Sequence, residues 1–265
     1  MESPLEEIEF LALSPNRVDV LELLSDGRYT RRELAEATGA SQATLGRILG
    51  DFDERSWIRR EDSRYVATAT GRLVSGGVSD LREIVETERK LRDVVEYMPT
   101  ESLSFDLRRL SEARITAPSQ TRPNAPVQRL LELLEDASEV RTASHAFNEQ
   151  TLSIVRERVT AGELTFDGVF SESAIDALAE DAGLRARLES LLEADGARIW
   201  IVDEDVPLAV VGADEAVALL LRDADGVLRA AVDVDDDAVR SWAEETVREY
   251  RTRATPLESE ALRTD

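Results

Sequence analysis

Apolar residues return at three- and four-residue steps through the first part of the chain. Leu5–Leu13 and Pro15–Leu24 predict two helices, with Ser14-Pro15 supplying the start signal between them. "SDGRYT" ends the second. Thr30 then caps "RRELAEAT", and Glu33 three residues on completes a capping box. Gly39 is a left-handed stop, and Ser41 caps a third helix through about Glu54. In that helix Leu45, Ile48, Leu49 and Phe52 fall to one side. The period then drops to two: "WIRR", the polar turn "EDSR" and "YVAT" predict a short hairpin. After Thr70-Gly71 a helical pattern runs to about Met98, with a break expected at Ser75-Gly76-Gly77. Its apolar residues Val74, Val78, Leu81, Val85, Leu91, Val95 and Met98 suit either a dimer helix or packing on its own domain, and Glu88 interrupts the stripe.

The texture changes from Leu103. "EARITAP" reads as a short strand, "SQTRPNAP" as a loop and "VQRLLELLEDA" as an amphipathic helix. Strand-like runs at Val140–Ser144, Leu164–Phe170, Arg198–Val202, Leu208–Val211 and Leu228–Val232 then alternate with helices near Glu149–Val159, Ser173–Ala179, Leu184–Leu192 and Asp237–Arg253. Such alternation predicts an α/β unit. The expected fold class is therefore multidomain α+β: a winged helix-turn-helix over 1–75, a linking helix over 76–99, an α/β sensor or oligomerisation domain over 100–255, and a frayed polar tail over 256–265.

Composition narrows the function classes. No cysteine means no disulfide, no thiolate metal site and no cysteine nucleophile. The longest apolar run, around Ala216–Leu221, is far too short for a membrane span. A soluble, cytoplasmic protein with no membrane partner is expected. The 55 acidic residues face 32 basic ones, of which only Lys90 is a lysine, for a formal charge of −23. That balance resembles proteins of salt-loving archaea. It informs solubility and association rather than fold. From Arg28 to Arg72, however, nine arginines outnumber seven acids, a local surplus of two.

That stretch also carries a resemblance. "TRRELAEATGASQATLGRILGDFDERSWIRREDSRYVATATGRLV" resembles the ArsR/MarR-like winged helix regulators of archaea. The shared pattern is a capped helix, a Gly turn, Ser-Gln-x-Thr-Leu-x-Arg, then Trp-Ile before the wing and Thr-x-x-Gly after it. "ARITAPSQTRPNAPVQRLLELL" and the closing "AVRSWAEETVREYR" are similar to the sensor-type middle domain of haloarchaeal and methanogen regulators. Together the resemblances imply a DNA-binding transcriptional regulator with double-stranded DNA as partner, a homodimer, a small-molecule effector, no cofactor and no enzymatic activity. An alternative from another class is a scaffold module whose winged helix docks protein.

The residues themselves support specific roles. A major groove admits one helix, and side chains near its N-terminus reach base edges. Helix 41–54 presents Ser41, Gln42, Ala43, Thr44, Gly46 and Arg47 away from its apolar side. Gln42 suits adenine, Arg47 suits guanine or a phosphate, and Ser41 with free backbone N–H groups suits a phosphate. Arg31 and Arg32 precede this helix in the motif; Arg59, Arg60 and Arg64 sit on the wing, 57–68, where backbone and minor-groove contacts are expected. Any one of these arginines serves equally well as a surface partner of Glu33, Glu54 or Glu61. Gly46 and Gly50 are expected to leave bare backbone on the docking face, letting the helix sit deeper. In the second domain Ser144, His145 and Asn148, near a strand end, with Arg108 or Arg114 for an anion, are the expected effector-binding residues. His145 lacks the lysine two residues on that a phospholipase-D-like site needs, since Phe147 stands there. "VDVDDDA" lacks the glycine and distal Glu of a calcium loop, so Asp235 or Asp236 is expected to cap a helix.

Overall fold

The computed structural model describes residues 3–262. The chain divides into two compact units, Met1–Glu86 and Thr87–Asp265, with the division inside one helix.

The first unit follows the apolar pattern element by element. Helices α1 (Pro4–Ala12), α2 (Pro15–Asp26), α3 (Arg31–Thr38) and α4 (Gln42–Glu54) precede the hairpin β1 (Ile58–Glu61) and β2 (Arg64–Ala67), and α5 (Ala69–Leu91) follows. The caps explain the boundaries. Thr30 accepts from the Glu33 N–H at 3.2 Å while Glu33 accepts from the Thr30 N–H at 2.7 Å. Gly39 closes α3 with φ +71°, and Ser41 opens α4 by accepting from the Thr44 N–H at 3.1 Å. Leu21, Leu24, Leu34, Leu45 and Phe52 are buried together beneath Trp57 and Ile58.

Two departures concern α5. It runs unbroken through Ser75-Gly76-Gly77, where an interruption was expected, and it stops at Leu91 rather than near Met98. Val74 and Val78 pack on the core, so tertiary burial outweighs the weak helix propensity of two glycines. The helix begins against the hairpin. Thr68 Oγ1 donates to the Ser56 carbonyl at 2.7 Å and accepts from the Gly71 N–H at 3.1 Å. A Cβ on Gly71 would lie 1.9 Å from the Trp57 carbonyl oxygen, so only glycine fits at that position.

The second unit is a mixed sheet between two layers. Strands β3 (Arg114–Thr116), β4 (Glu139–Ser144), β5 (Thr165–Ser171), β6 (Ala197–Val202), β7 (Ala209–Ala213), β8 (Ala216–Arg222), β9 (Leu228–Val234) and β10 (Thr255–Pro256) lie in the order β10-β6-β5-β4-β7-β8-β9-β3. Neighbours β4, β5 and β6 are parallel, and every other pairing is antiparallel. Helices α6 (Ala125–Asp136), α7 (Glu149–Thr160), α8 (Glu172–Ala179) and α9 (Ala182–Leu192) cover one face. Helix α10 (Asp237–Arg253) and the short turns between Val94 and Ala113 cover the other. Asp236 caps α10, accepting from the Ala238 and Val239 N–H groups.

Strand β8 was not foreseen. With both faces buried, "AVALLL" loses the alternation that marks a strand. Val217, Leu219 and Leu221 enter the α10 side, while Ala218 and Leu220 enter the α6–α9 side. The expected frayed tail, 256–265, is corrected as far as residue 262, and residues 263–265 lie outside the described residues. Thr255 and Pro256 pair with β6, and Leu257 and Leu262 are buried in the α6–α9 core. Two leucines among polar neighbours suffice to dock it.

Candidate nucleic-acid interface

A two-residue bridge sets the geometry of the arginine-rich face. Tyr29 and Tyr65 exchange backbone hydrogen bonds at 3.1 and 2.8 Å, which fixes the start of α3 beside β2. Arg64 therefore reaches Glu33, at 3.0 Å, and the Arg28 carbonyl, at 2.9 Å. Across the hairpin, Glu61 accepts from Arg59 at 2.7 Å and from Arg28 at 2.9 Å. Arg60 Nε donates to the Asp62 carbonyl at 2.9 Å, in a turn where Asp62 takes φ +56°. Arg32 pairs with Glu36 at 3.4 Å. The two carboxylates that serve this face are held below their ordinary range. For Glu33 the main cause is the Thr30 N–H, followed by the Thr30 hydroxyl and Arg64; for Glu61 it is the Arg59 hydrogen bond.

Most of these pairs are exposed, so each contributes little to stability and can exchange its carboxylate for another anion. Arg59, Arg60 and Arg64 remain near the protein surface, each held by a glutamate or a carbonyl.

On α4, Ser41, Gln42, Ala43 and Arg47 are exposed and Thr44 is half-buried, while Leu45, Ile48, Leu49 and Phe52 are buried. The predicted division of the helix into two sides holds in the structure. Among the described residues Arg47 has no ion-pair or hydrogen-bond partner. Against the expectation of bare backbone, Gly46 is covered, because the Arg31 guanidinium lies over it. Arg31 Nη2 donates to the Gln42 carbonyl, and a Cβ on Gly46 would meet that nitrogen at 2.5 Å. Gly50 does face open space. The two glycines thus have different reasons to be there, which the spacing alone could not separate.

In the second unit the structure scatters the expected effector residues. Arg108 is paired with Asp106 at 2.8 Å, close enough to hold that carboxyl down at about 2, with the Arg108 hydrogen bonds as the main cause. Arg114 lies on edge strand β3, four strands from β4. Neither joins Ser144, His145 and Asn148. Ser144 and Asn148 do line one pocket, beyond the carboxyl end of β4 and at the start of α7. Asn148 caps α7 through two backbone N–H groups at 3.0 Å. His145 stands beside the pocket, its Nδ1 donating to the Val206 carbonyl at 2.8 Å. Burial pushes its pKa down from the ordinary value, against that hydrogen bond.

Sequence reasoning missed Arg222, which also lines this pocket. The missing signal was β8 itself. Once 216–222 is a strand, Arg222 falls in step with Ala218 and Leu220, toward the α6–α9 side. No helix of the described residues is long and apolar enough to cross a membrane.

Residues 123–253 match the family described as the middle domain of the methanogenesis regulatory protein FilR1. Residues 5–90 match the family described as the HVO_A0261 N-terminal domain. Among curated proteins, none matches. Similar solved structures include TrmBL2, described as an archaeal chromatin protein with a novel mode of DNA binding. It is 16% identical, with 91% of this chain and 92% of that one covered, at a TM-score of 0.42. The phospholipase D family member Nuc from Salmonella typhimurium is 14% identical, with 56% and 99% covered, at a TM-score of 0.40. Likenesses this distant carry no inference about what the chain binds.

Proposed function

We propose that the chain is an archaeal DNA-binding transcription regulator and not an enzyme. Its first unit acts as a winged helix-turn-helix, with α4 in the major groove and the β1–β2 wing on the backbone or minor groove. The second unit takes up an effector that biases DNA binding. The observation that carries this reading is the exposed side of α4. It offers Gln42, an Arg47 with no partner among the described residues and a capped helix N-terminus, flanked by wing arginines whose acidic partners are exchangeable. The match of residues 123–253 to the middle domain of a regulatory protein supports the same reading.

A homodimer is part of the proposal. Leu81, Ile84 and Val85 on α5 and Leu5 and Ile8 on α1 are exposed although large and apolar, a combination that a second copy of the chain would cover. The acidity fits a salt-rich cytoplasm. At molar ionic strength the Debye length falls to about 3 Å, so distant carboxylates scarcely repel the duplex while arginine contacts at hydrogen-bond range persist.

The test is fluorescence anisotropy of the full chain with duplexes from its own promoter region, in rising potassium chloride. Retention of one duplex over scrambled sequence, with a shallow salt dependence, is the expected result. No retention at any salt, with the chain folded and dimeric, would favour a protein-docking scaffold. A steep decline with salt would remove the account of the acidity.

A further inference from the structure

In a chain of 55 acidic residues, Arg222 has no counter-ion among the described ones. Its Nη1 donates to the Gly226 carbonyl at 2.7 Å. Its Nε is shielded from water and has no acceptor, alone among the buried side-chain nitrogens and oxygens of the described residues. The neighbouring Asp223 is bound instead to Arg229, at 2.6 Å. Burial of the guanidinium disfavours its charge, with no carboxylate to oppose that. An unsatisfied donor of this kind is costly, and a charged one more so. With Nη1 committed and Nε shielded, Nη2 is the nitrogen that remains for an acceptor.

The rest of the pocket is apolar apart from Thr142, Ser144, Asn148 and Thr151. Phe147, Phe166 and Phe170 form a stack, with Phe147 and Phe170 centroids 4.6 Å apart and their planes within 7°. Thr142 Oγ1 donates to the Val210 carbonyl at 2.8 Å, and Ser144 Oγ donates to the Ala146 carbonyl at 2.8 Å. The enclosed volume is about 40 Å³, and about 440 Å³ with the open solvent of its mouth counted. It offers one positive charge and aromatic walls.

We propose that this pocket binds a small monocarboxylic acid with an apolar body, its carboxylate on Arg222 and its body against the Phe147–Phe170 stack. A phosphate dianion would find only one charged partner here, whereas the single charge of a carboxylate matches one guanidinium. The inference rests on the effector-binding reading of the second unit. It is measured without DNA, so its failure is distinct from failure of the DNA-binding reading.

The chain provides its own reporter. His145 is the sole histidine, and the positive charge of Arg222 is among the influences that lower its pKa, with the Val206 carbonyl and Asp205 acting the other way. A carboxylate seated on Arg222 would offset that charge. The full chain is titrated with phenylacetate and with hexanoate while the His145 ring proton resonances are followed from pH 5 to 8, and heats of binding are recorded in parallel. Inorganic phosphate and phenethylamine serve as comparison probes. Saturable binding of at least one acid, a rise in the His145 midpoint, and no binding of phosphate or amine are expected. Arg222→Gln should weaken the acid by about tenfold or more, and Arg222→Lys should recover part of that loss. A melting curve for each variant shows that it is folded. The proposal is overturned if neither acid binds, if phosphate binds as well as the acids, or if folded Arg222→Gln binds them unchanged. Should the glutamine variant not fold, the His145 shift in the unaltered chain decides alone: a rise with acid supports the proposal and a fixed midpoint overturns it.

Discussion

On the arginine-rich face of the first unit, Arg28, Arg59 and Arg64 share Glu61 and Glu33 in the open, and Arg47 has no ion-pair or hydrogen-bond partner among the described residues. In the second unit Arg129 is held on the sheet by Asp233 through two bonds, Nε–Oδ1 at 3.0 Å and Nη2–Oδ2 at 2.7 Å, with both side chains largely buried. One residue type thus serves two ends. In the sheet the charge is consumed by the fold: the Asp233 hydrogen bond raises the Arg129 pKa, and α6 is tied to β9. On the face of α4 the charge is kept available, because exposed pairs form and break at little cost. The difference separates arginines that a structure needs from arginines that a ligand can use.

Removing a partner tests that separation most severely. Arg129→Ala leaves Asp233 buried without its counter-ion and should lower unfolding free energy by about 3–5 kcal/mol in a urea titration. The double variant Arg129→Met with Asp233→Asn should recover much of the loss. If Arg129→Ala costs under about 1 kcal/mol, the buried pair behaves like the exposed ones and the contrast between the units fails.

The next largest effect belongs to Arg47. Arg47→Ala should leave the melting temperature unchanged while removing about 1–3 kcal/mol of discrimination at one base pair of the bound duplex. A uniform loss over all sequences would instead make Arg47 a phosphate contact. Freed arginines give a smaller shift in the other direction. Glu61→Gln releases Arg59 and Arg28 and should tighten duplex binding a few-fold, with stability altered by no more than about 1 kcal/mol. Weaker binding in Glu61→Gln would mean that the pair positions the wing rather than restraining it.

Much of this was legible along the chain where the determinants are local. Thr30 with Glu33, Gly39 and Ser41 mark their helix ends within a few residues, and the two-residue period at Ile58 and Tyr65 marks the hairpin. What escaped was non-local. Strand β8 hides in a run buried on both sides, and with it went Arg222. Arg129 and Asp233 stand 104 residues apart, and nothing near either one announces the other. The effector residues proposed from strand ends illustrate both cases. Ser144 and Asn148 share a pocket because one strand-to-helix turn carries both, whereas Arg108 and Arg114 would have needed the sheet order to be known.

The smallest expected effect separates the glycines of α4. Alanine in a helix interior gains up to about 1 kcal/mol over glycine. At Gly50 nothing opposes it, so Gly50→Ala should stabilise by about that amount. At Gly46 the new methyl would displace Arg31 from the Gln42 carbonyl, and a lost bond of about 0.5–1.5 kcal/mol cancels most of the gain. The contrast should vanish in an Arg31→Ala background, where both substitutions gain alike in thermal or urea unfolding. Duplex binding then shows what the arrangement is for. If α4 enters a groove by this side, Gly46→Leu weakens binding even in the Arg31→Ala background, because the bulk itself stands in the way. If Gly46→Leu weakens binding only while Arg31 is present, then Gly46 serves to seat that guanidinium, and the groove contact is made by Arg31 rather than by the helix backbone.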